Sequence, residues 1–194
     1  MNRLIFASGN PNKAKEIQAA LPENFFVITM KEAGFYSDIP EPYNTLEENA
    51  QHKARTVASA LNENCFSEDT GLETDALGGA PGVKSARYAG EEANDKKNIE
   101  KLLLELGSNP LRNARFKTVI VLILDGEEYF FTGICEGKIT TSASGSGGFG
   151  YDPIFIPDGA EKTFAEMSLE EKNTYSHRKK ALAKMIAFLK EKNK

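Results

Sequence analysis

The sequence predicts a mixed α/β fold, and three observations carry that prediction. The chain opens as β-α-β, with an apolar run Leu4-Ile5-Phe6-Ala7, a helix over about Asn12 to Leu21 and a second run Phe25-Phe26-Val27-Ile28. That order favours a sheet with helices packed on its faces. An amphipathic helix follows over Asn94 to Leu106, where Ile99, Leu102, Leu103 and Leu106 share one face. The most apolar stretch, Phe116 to Leu124, runs into Asp125-Gly126 and then Tyr129-Phe130-Phe131. Asp-Gly between two such runs is a hairpin signal, so the sheet holds an antiparallel pair beside its parallel crossovers.

Each element has a local reason. Ser8-Gly9-Asn10-Pro11 breaks the first strand, and Pro11 suits a first helical position, where its missing N–H would be unpaired anyway. Lys31 to Tyr43 has no clean period and reads as a long surface loop, a class that is often functional. Thr45-Leu46-Glu47-Glu48 matches a capping box and opens a helix to about Leu61, buried along Ala50, Ala54, Val57 and Leu61. Asn64 to Ser67 reads as a short strand with Asp69 just past its end, and five Gly and a Pro from there to Gly90 imply irregular backbone. Ser142 to Gly150 is rich in Gly and Ser, yet it leads straight into Ile154-Phe155, unlike a plain linker. Ser168-Leu169-Glu170-Glu171 is a second capping-box match, starting a short helix that carries Lys172. The last helix, about His177 to Lys192, buries Leu182, Met185, Ile186 and Leu189. There is no internal repeat, and residues 1–194 read as one domain without a separable linker.

Composition narrows the function classes. With 40% hydrophobic and 27% charged residues in 194, the chain is of ordinary globular type and long enough for a core without staples. The charge balance, 24 basic against 28 acidic residues, argues against a general nucleic-acid binder, which needs clustered Lys and Arg to neutralise phosphates. A small anionic ligand stays open. Cys65 and Cys135 lack metal-site spacing and read as structural thiols of a reducing cytoplasm. The N-terminus turns polar after six residues, too soon for a signal peptide, and no run reaches the length of a membrane span.

Several clusters have chemical potential. Ser8 to Lys13 lies between a strand and a helix, where free N–H groups and the helix dipole favour an anion; an ordinary strand-to-helix turn is the plainer alternative. Ser67-Glu68-Asp69-Thr70-Gly71-Leu72-Glu73 gathers carboxylates that could hold Mg²⁺ or activate a water, or could form a solvated acidic turn. Asp38 and Glu41 add carboxylates on the long loop. Lys53 by itself reads more simply as solvated helix surface. Phe149 beside Gly150 and Asp152 offers either an aromatic face and an acceptor for a base, or a core aromatic beside a turn. Ser176-His177-Arg178 places basic groups at a helix start, against the dipole, a local conflict that hints at function.

In order, SGNPNK at 8–13, EENAQHKA at 47–54, SEDTGLETDALGGAPGVKSARYAG at 67–90, GGFGYDPIF at 147–155 and MSLEEKNTYSHRKKAL at 167–182 resemble the inosine triphosphate pyrophosphatase family, also described as dITP/XTP or non-standard purine NTP pyrophosphatases. The resemblance implies an elongated twisted mixed sheet flanked by helices, two lobes around a central nucleotide-binding cleft, and a homodimer. It implies Mg²⁺-dependent hydrolysis of a purine nucleoside triphosphate between the α and β phosphates, giving the monophosphate and pyrophosphate. On it, Ser8, Gly9, Asn10, Pro11, Asn12 and Lys13 hold the triphosphate and Lys53 helps to neutralise it. Asp69 binds the metal and accepts the proton of the attacking water, Thr70 touches the substrate, and Glu41 is a second metal carboxylate. Phe149, Gly150, Tyr151, Asp152, Lys172, His177 and Arg178 bind the nucleoside.

Base choice then has a physical basis. A donor facing position 6, such as the Lys172 ammonium or a backbone N–H, pairs with the 6-oxo group of hypoxanthine or xanthine and is left buried and unpaired by adenine. Two readings from other classes compete. A noncatalytic nucleotide-binding module or sensor would use the same residues, and an RNA-binding protein would use the basic stretch from Arg178 to Lys194. The acidic balance disfavours the second of these.

Overall fold

The computed structural model describes residues 2–8, 14, 17–18 and 21–192. The strands are β1 (Asn2–Phe6), β2 (Phe25–Thr29), β3 (Cys65–Thr74), β4 (Pro81–Gly82), β5 (Asn113–Leu124), β6 (Glu127–Ile139) and β7 (Phe155–Pro157). They follow the order β2-β1-β3-β5-β6-β7, with β4 beside β3. The helices are α1 (Leu46–Leu61), α2 (Asp95–Leu106), α3 (Leu169–Tyr175) and α4 (His177–Lys192). Ala14, Ile17 and Gln18 are also helical, as the opening β-α-β reading expects. The chain divides into two compact units, one of Met1–Asp69, Thr118–Thr132 and Lys180–Lys194, the other of Thr70–Lys117 and Gly133–Lys179.

In the first unit β1 runs parallel to both β2 and β3, with Ile5 paired to Ile28 and to Cys65. A strand buried on both faces reads as a continuous apolar run, which explains Leu4 to Phe6. Leu4 and Phe6 join Phe66, Ile120, Leu122, Met185 and Leu189 in one cluster, while Ile5 packs with Val57, Ala58 and Cys65 in another. The period of two along a strand sends alternate residues to opposite faces. Phe6 and Phe66 stack with centroids 4.8 Å apart. α1 begins where expected, with the Thr45 hydroxyl accepting the Glu48 N–H. The Glu48 carboxylate, however, accepts the proton of that same hydroxyl rather than the Thr45 N–H, so the box is half made. The turn between β5 and β6 has Asp125 at φ 53° and Gly126 at φ 85°, the two positive values a two-residue hairpin turn demands.

One expectation about the backbone is corrected. β3 does not stop at Ser67; it continues through Gly71 to Thr74 and carries Asp69 within it. Leu72 is fully buried, and β4 folds back antiparallel to pair Leu72 with Gly82 and Glu73 with Pro81. Tertiary pairing and burial outweigh the weak strand preference of one glycine.

In the second unit Leu72, Leu102, Leu106, Ile139, Phe155 and Phe164 form the core, with Phe116 packed against it. β6 and β7 pair antiparallel, and at Gly137 no Cβ would fit against Ile156 and the Phe155 ring. Residues 142–150 are pinned: Ser144 Oγ donates to the Glu166 carboxylate at 2.7 Å and the Gly147 N–H to the Ala165 carbonyl at 3.0 Å. A full capping box holds Ser168 and Glu171 at the start of α3. A third, at Thr163 and Glu166, escaped the sequence reading because only one turn of 3₁₀ helix follows it.

Candidate active site

In the first unit three predicted residues converge. Lys53 lies on the middle turns of α1, near Ala50 and Ala54, which are fully buried and draw that face of the helix inward. Its Nζ donates to Glu41 Oε1 at 2.6 Å, to Asp69 Oδ1 at 3.1 Å and to the Glu68 carbonyl at 3.0 Å. The Lys53 side chain is 12% exposed and that of Asp69 14%. Burial works against the Lys53 charge, but Asp69 and Glu41 outweigh it and raise its pKa above the ordinary lysine value. Lys53 is therefore no solvated surface lysine. It is a cation held between two carboxylates.

The loop that carries Glu41 is itself held. Asn49 of α1 is buried and bonds both backbone groups of Tyr43, accepting its N–H and donating to its carbonyl, each at 3.0 Å. Ser8 lies two residues past the end of β1, with its N–H donated to the Phe6 carbonyl. Gly9, Asn10, Pro11, Asn12 and Lys13 lie outside the described residues.

The second unit gathers the others. Residues 148–152 form a tight turn in which Gly148 has φ 74° and Gly150 φ 59°. Asp152, 3% exposed, accepts the Phe149 N–H at 2.9 Å and pairs with the Lys172 ammonium. Asp152 is thus committed to the turn and to Lys172, rather than turned outward as an acceptor for a base. The Gly150 N–H goes to Asp95 Oδ2 at 2.6 Å, a contact from the first turn of α2 that the sequence reading did not foresee. Nothing local marks Asp95 beyond the usual preference for an acid at a helix start.

Phe149 is not a core aromatic. Its ring is 70% exposed, with Lys172 Nζ 4.8 Å from the ring centroid. The same ammonium lies 5.3 Å from the Phe164 centroid. Tyr151, by contrast, is 4% exposed, and its hydroxyl donates to the Ser85 carbonyl at 2.9 Å, so its ring belongs to the core. His177 stacks on Phe116 with centroids 5.0 Å apart and planes within 11°. Arg178 follows it on the first turn of α4, and Thr70 follows Asp69 on β3; both are half-buried.

The fold is that of an α/β protein, with two carboxylates sharing a half-buried ammonium in one unit and an exposed aromatic ring beside a cation in the other. The sequence model of the Ham1 family matches residues 4–188, and the chain belongs to the Ham1 family. It is 51% identical over 187 residues to a Flavobacterium johnsoniae protein named dITP/XTP pyrophosphatase, covering 96% of this chain and 97% of that one. A Bacillus subtilis protein of the same name is 45% identical over 193 residues, covering 97% and 98%. Among solved structures, the Staphylococcus aureus Ham1 protein superposes with a TM-score of 0.94 at 41% identity, over 98% of this chain and all of that one. A Mycobacterium abscessus structure described as a nucleoside-triphosphatase and dITP/XTP pyrophosphatase gives 0.85 at 37% identity, over 95% and 98%. Among the described residues no helix is long and apolar enough to cross a membrane.

Proposed function

We propose that this chain hydrolyses non-standard purine nucleoside triphosphates, ITP, dITP and XTP, to the monophosphate and pyrophosphate, and so removes them from the nucleotide pool. The observation that carries the reading is the Glu41–Lys53–Asp69 cluster, found in a chain whose relatives along nearly their whole length are named for this activity. The whole of 1–194 acts as one nucleotide pyrophosphatase domain, on family resemblance a cytoplasmic homodimer.

Glu41 and Asp69 fit Mg²⁺, which takes oxygen donors and is typically held by one or two carboxylates together with substrate phosphates. When bound, the ion would neutralise phosphate charge and favour departure of pyrophosphate. Asp69 accepts the proton of the attacking water, a task suited to a carboxylate. Lys53, already charged and placed, adds a fixed cation for the developing negative charge, which costs no reorganisation at the moment of reaction. Ser8 to Lys13 cradle the triphosphate and Thr70 touches it.

In the second unit Phe149 offers its exposed face to the purine. Asp152 keeps Lys172 beside that ring, where the ammonium donates to a 6-oxo group and meets a poor partner in the 6-amino group of adenine. Gly150, Tyr151, His177 and Arg178 complete the nucleoside set, Tyr151 through its backbone position.

The test is pyrophosphate release from ITP, dITP, XTP, ATP and GTP with Mg²⁺. Fast turnover of the first three and slow turnover of ATP and GTP is expected. Equal rates for ATP and ITP would refute the specificity, and tight ITP binding with no turnover would make the chain a binding module instead.

A further inference from the structure

We propose that Asp95 is a positioning residue for nucleotide selection, fixing the Phe149-Gly150 turn through the Gly150 N–H; this rests on the reading that Phe149 receives the purine. The ring of Phe149 is 70% exposed, so packing does little to orient it and its backbone must do so. Two successive N–H groups of that backbone are each held by a carboxylate. Phe149 donates to Asp152, three residues on, and Gly150 donates to Asp95, fifty-five residues away on α2.

These ties differ in what they fix. The Asp152 contact closes the turn on itself, while Gly147 and Tyr151 hold the segment on either side of it. The Asp95 contact anchors it to a helix whose Leu102 and Leu106 lie in the core of the same unit. Gly148 and Gly150, both at positive φ, flank Phe149 and allow backbone freedom that an external anchor must remove. A charged acceptor makes such a hydrogen bond stronger than a neutral one, and the start of α2 favours negative charge. Asp95 is exposed and α2 has its own cap, with the Asn94 side chain accepting the Lys97 N–H, so replacing Asp95 leaves the helix intact.

The experiment compares Asp95→Ala, Asp95→Asn and Asn94→Ala. Asp95→Ala is expected to raise KM for ITP by about tenfold, the loss of one charge-assisted hydrogen bond, with kcat changed less than about twofold. Asp95→Asn, which keeps an acceptor oxygen, restores KM to within about threefold of the parent. Asn94→Ala, which weakens the same helix start without touching the turn, leaves KM unchanged. Inhibition by inorganic triphosphate, which has no base to stack, is the same in all four proteins. In the nucleotide-free protein, amide exchange at Gly150 accelerates in Asp95→Ala and not in Asn94→Ala.

An unchanged KM in Asp95→Ala, a KM rise shared by Asn94→Ala, or a parallel loss of triphosphate inhibition would each overturn the proposal, as would unaltered exchange at Gly150. Equal turnover of ATP and ITP by the parent protein would instead strike the underlying reading, and the exchange result would still decide whether Asp95 holds the turn.

Discussion

Lys53 on α1 and Asp69 on β3 meet through a 3.1 Å hydrogen bond, with the Lys53 side chain only 12% exposed. The pair joins two residues sixteen positions apart in the sequence, and Glu41 closes on it from the loop before α1. Removing either member has a different predicted consequence.

Asp69→Asn keeps a side chain of the same shape and an oxygen that still accepts from Lys53, but it abolishes the basic carboxylate. Turnover of ITP should fall by about 10²- to 10⁴-fold, the usual span for a lost general base. The thermal midpoint should stay within a few degrees of the parent value. Near-normal pyrophosphate release would remove Asp69 from its assigned role.

Lys53→Met leaves Glu41 and Asp69 beside each other without their shared cation. A partly buried charged group that loses its partner costs about 1–3 kcal/mol, to be read from urea denaturation. Mg²⁺ should then raise the melting temperature of Lys53→Met more than that of the parent, because an added cation binds the folded state and replaces the lost charge. An equal Mg²⁺ effect on both proteins would show that the two carboxylates do not receive the ion.

Gly148→Ala tests the turn. A Cβ at this position would collide with the Asp152 carboxylate, and φ 74° is strained for any residue but glycine. A destabilisation of about 2–4 kcal/mol follows from strain and overpacking together. Because Asp152 also holds Lys172, the substitution should narrow the rate difference between ITP and ATP, measured side by side.

Cys65 is fully buried and Cys135 is 2% exposed. Neither should react with a thiol reagent at pH 8 until the protein is unfolded. Burial pushes the Cys65 thiol up to about 12 despite its contact with the Ala7 backbone, from an ordinary value of 9.0. A folded pKa raised above the unfolded one stabilises the protein fully below the unfolded value and loses that effect as pH rises toward the folded one. Stability should therefore fall as pH rises through the window between about 9 and 12. In Cys65→Ser the decline over that window should be shallower, as urea titrations at pH 8 and 10.5 would show.

Much of the local structure was legible without coordinates. The helix starts at Thr45, Asn94 and Ser168 and the Asp125-Gly126 turn each depend on a few adjacent residues, and each formed where its residues specify. The end of β3 lies beyond what the local residues specify, for a definite reason. Gly71 is a turn residue by its own preference, but the burial of Leu72 and the pairing with Gly82 keep it in a strand. No reading of the neighbours of Gly71 contains that partner strand.

The site divides in the same way. Periodicity and turn signals determined the α/β class, and the five ordered motifs carried the resemblance to the family. Only the tertiary structure decided their states. It made Lys53 a half-buried ammonium between Glu41 and Asp69, committed Asp152 to Lys172, packed Tyr151 into the core while leaving Phe149 in solvent, and brought Asp95 to Gly150. Propensity and capping act over a few residues, whereas charge state, exposure and the anchoring of a turn depend on groups that approach only when distant segments pack.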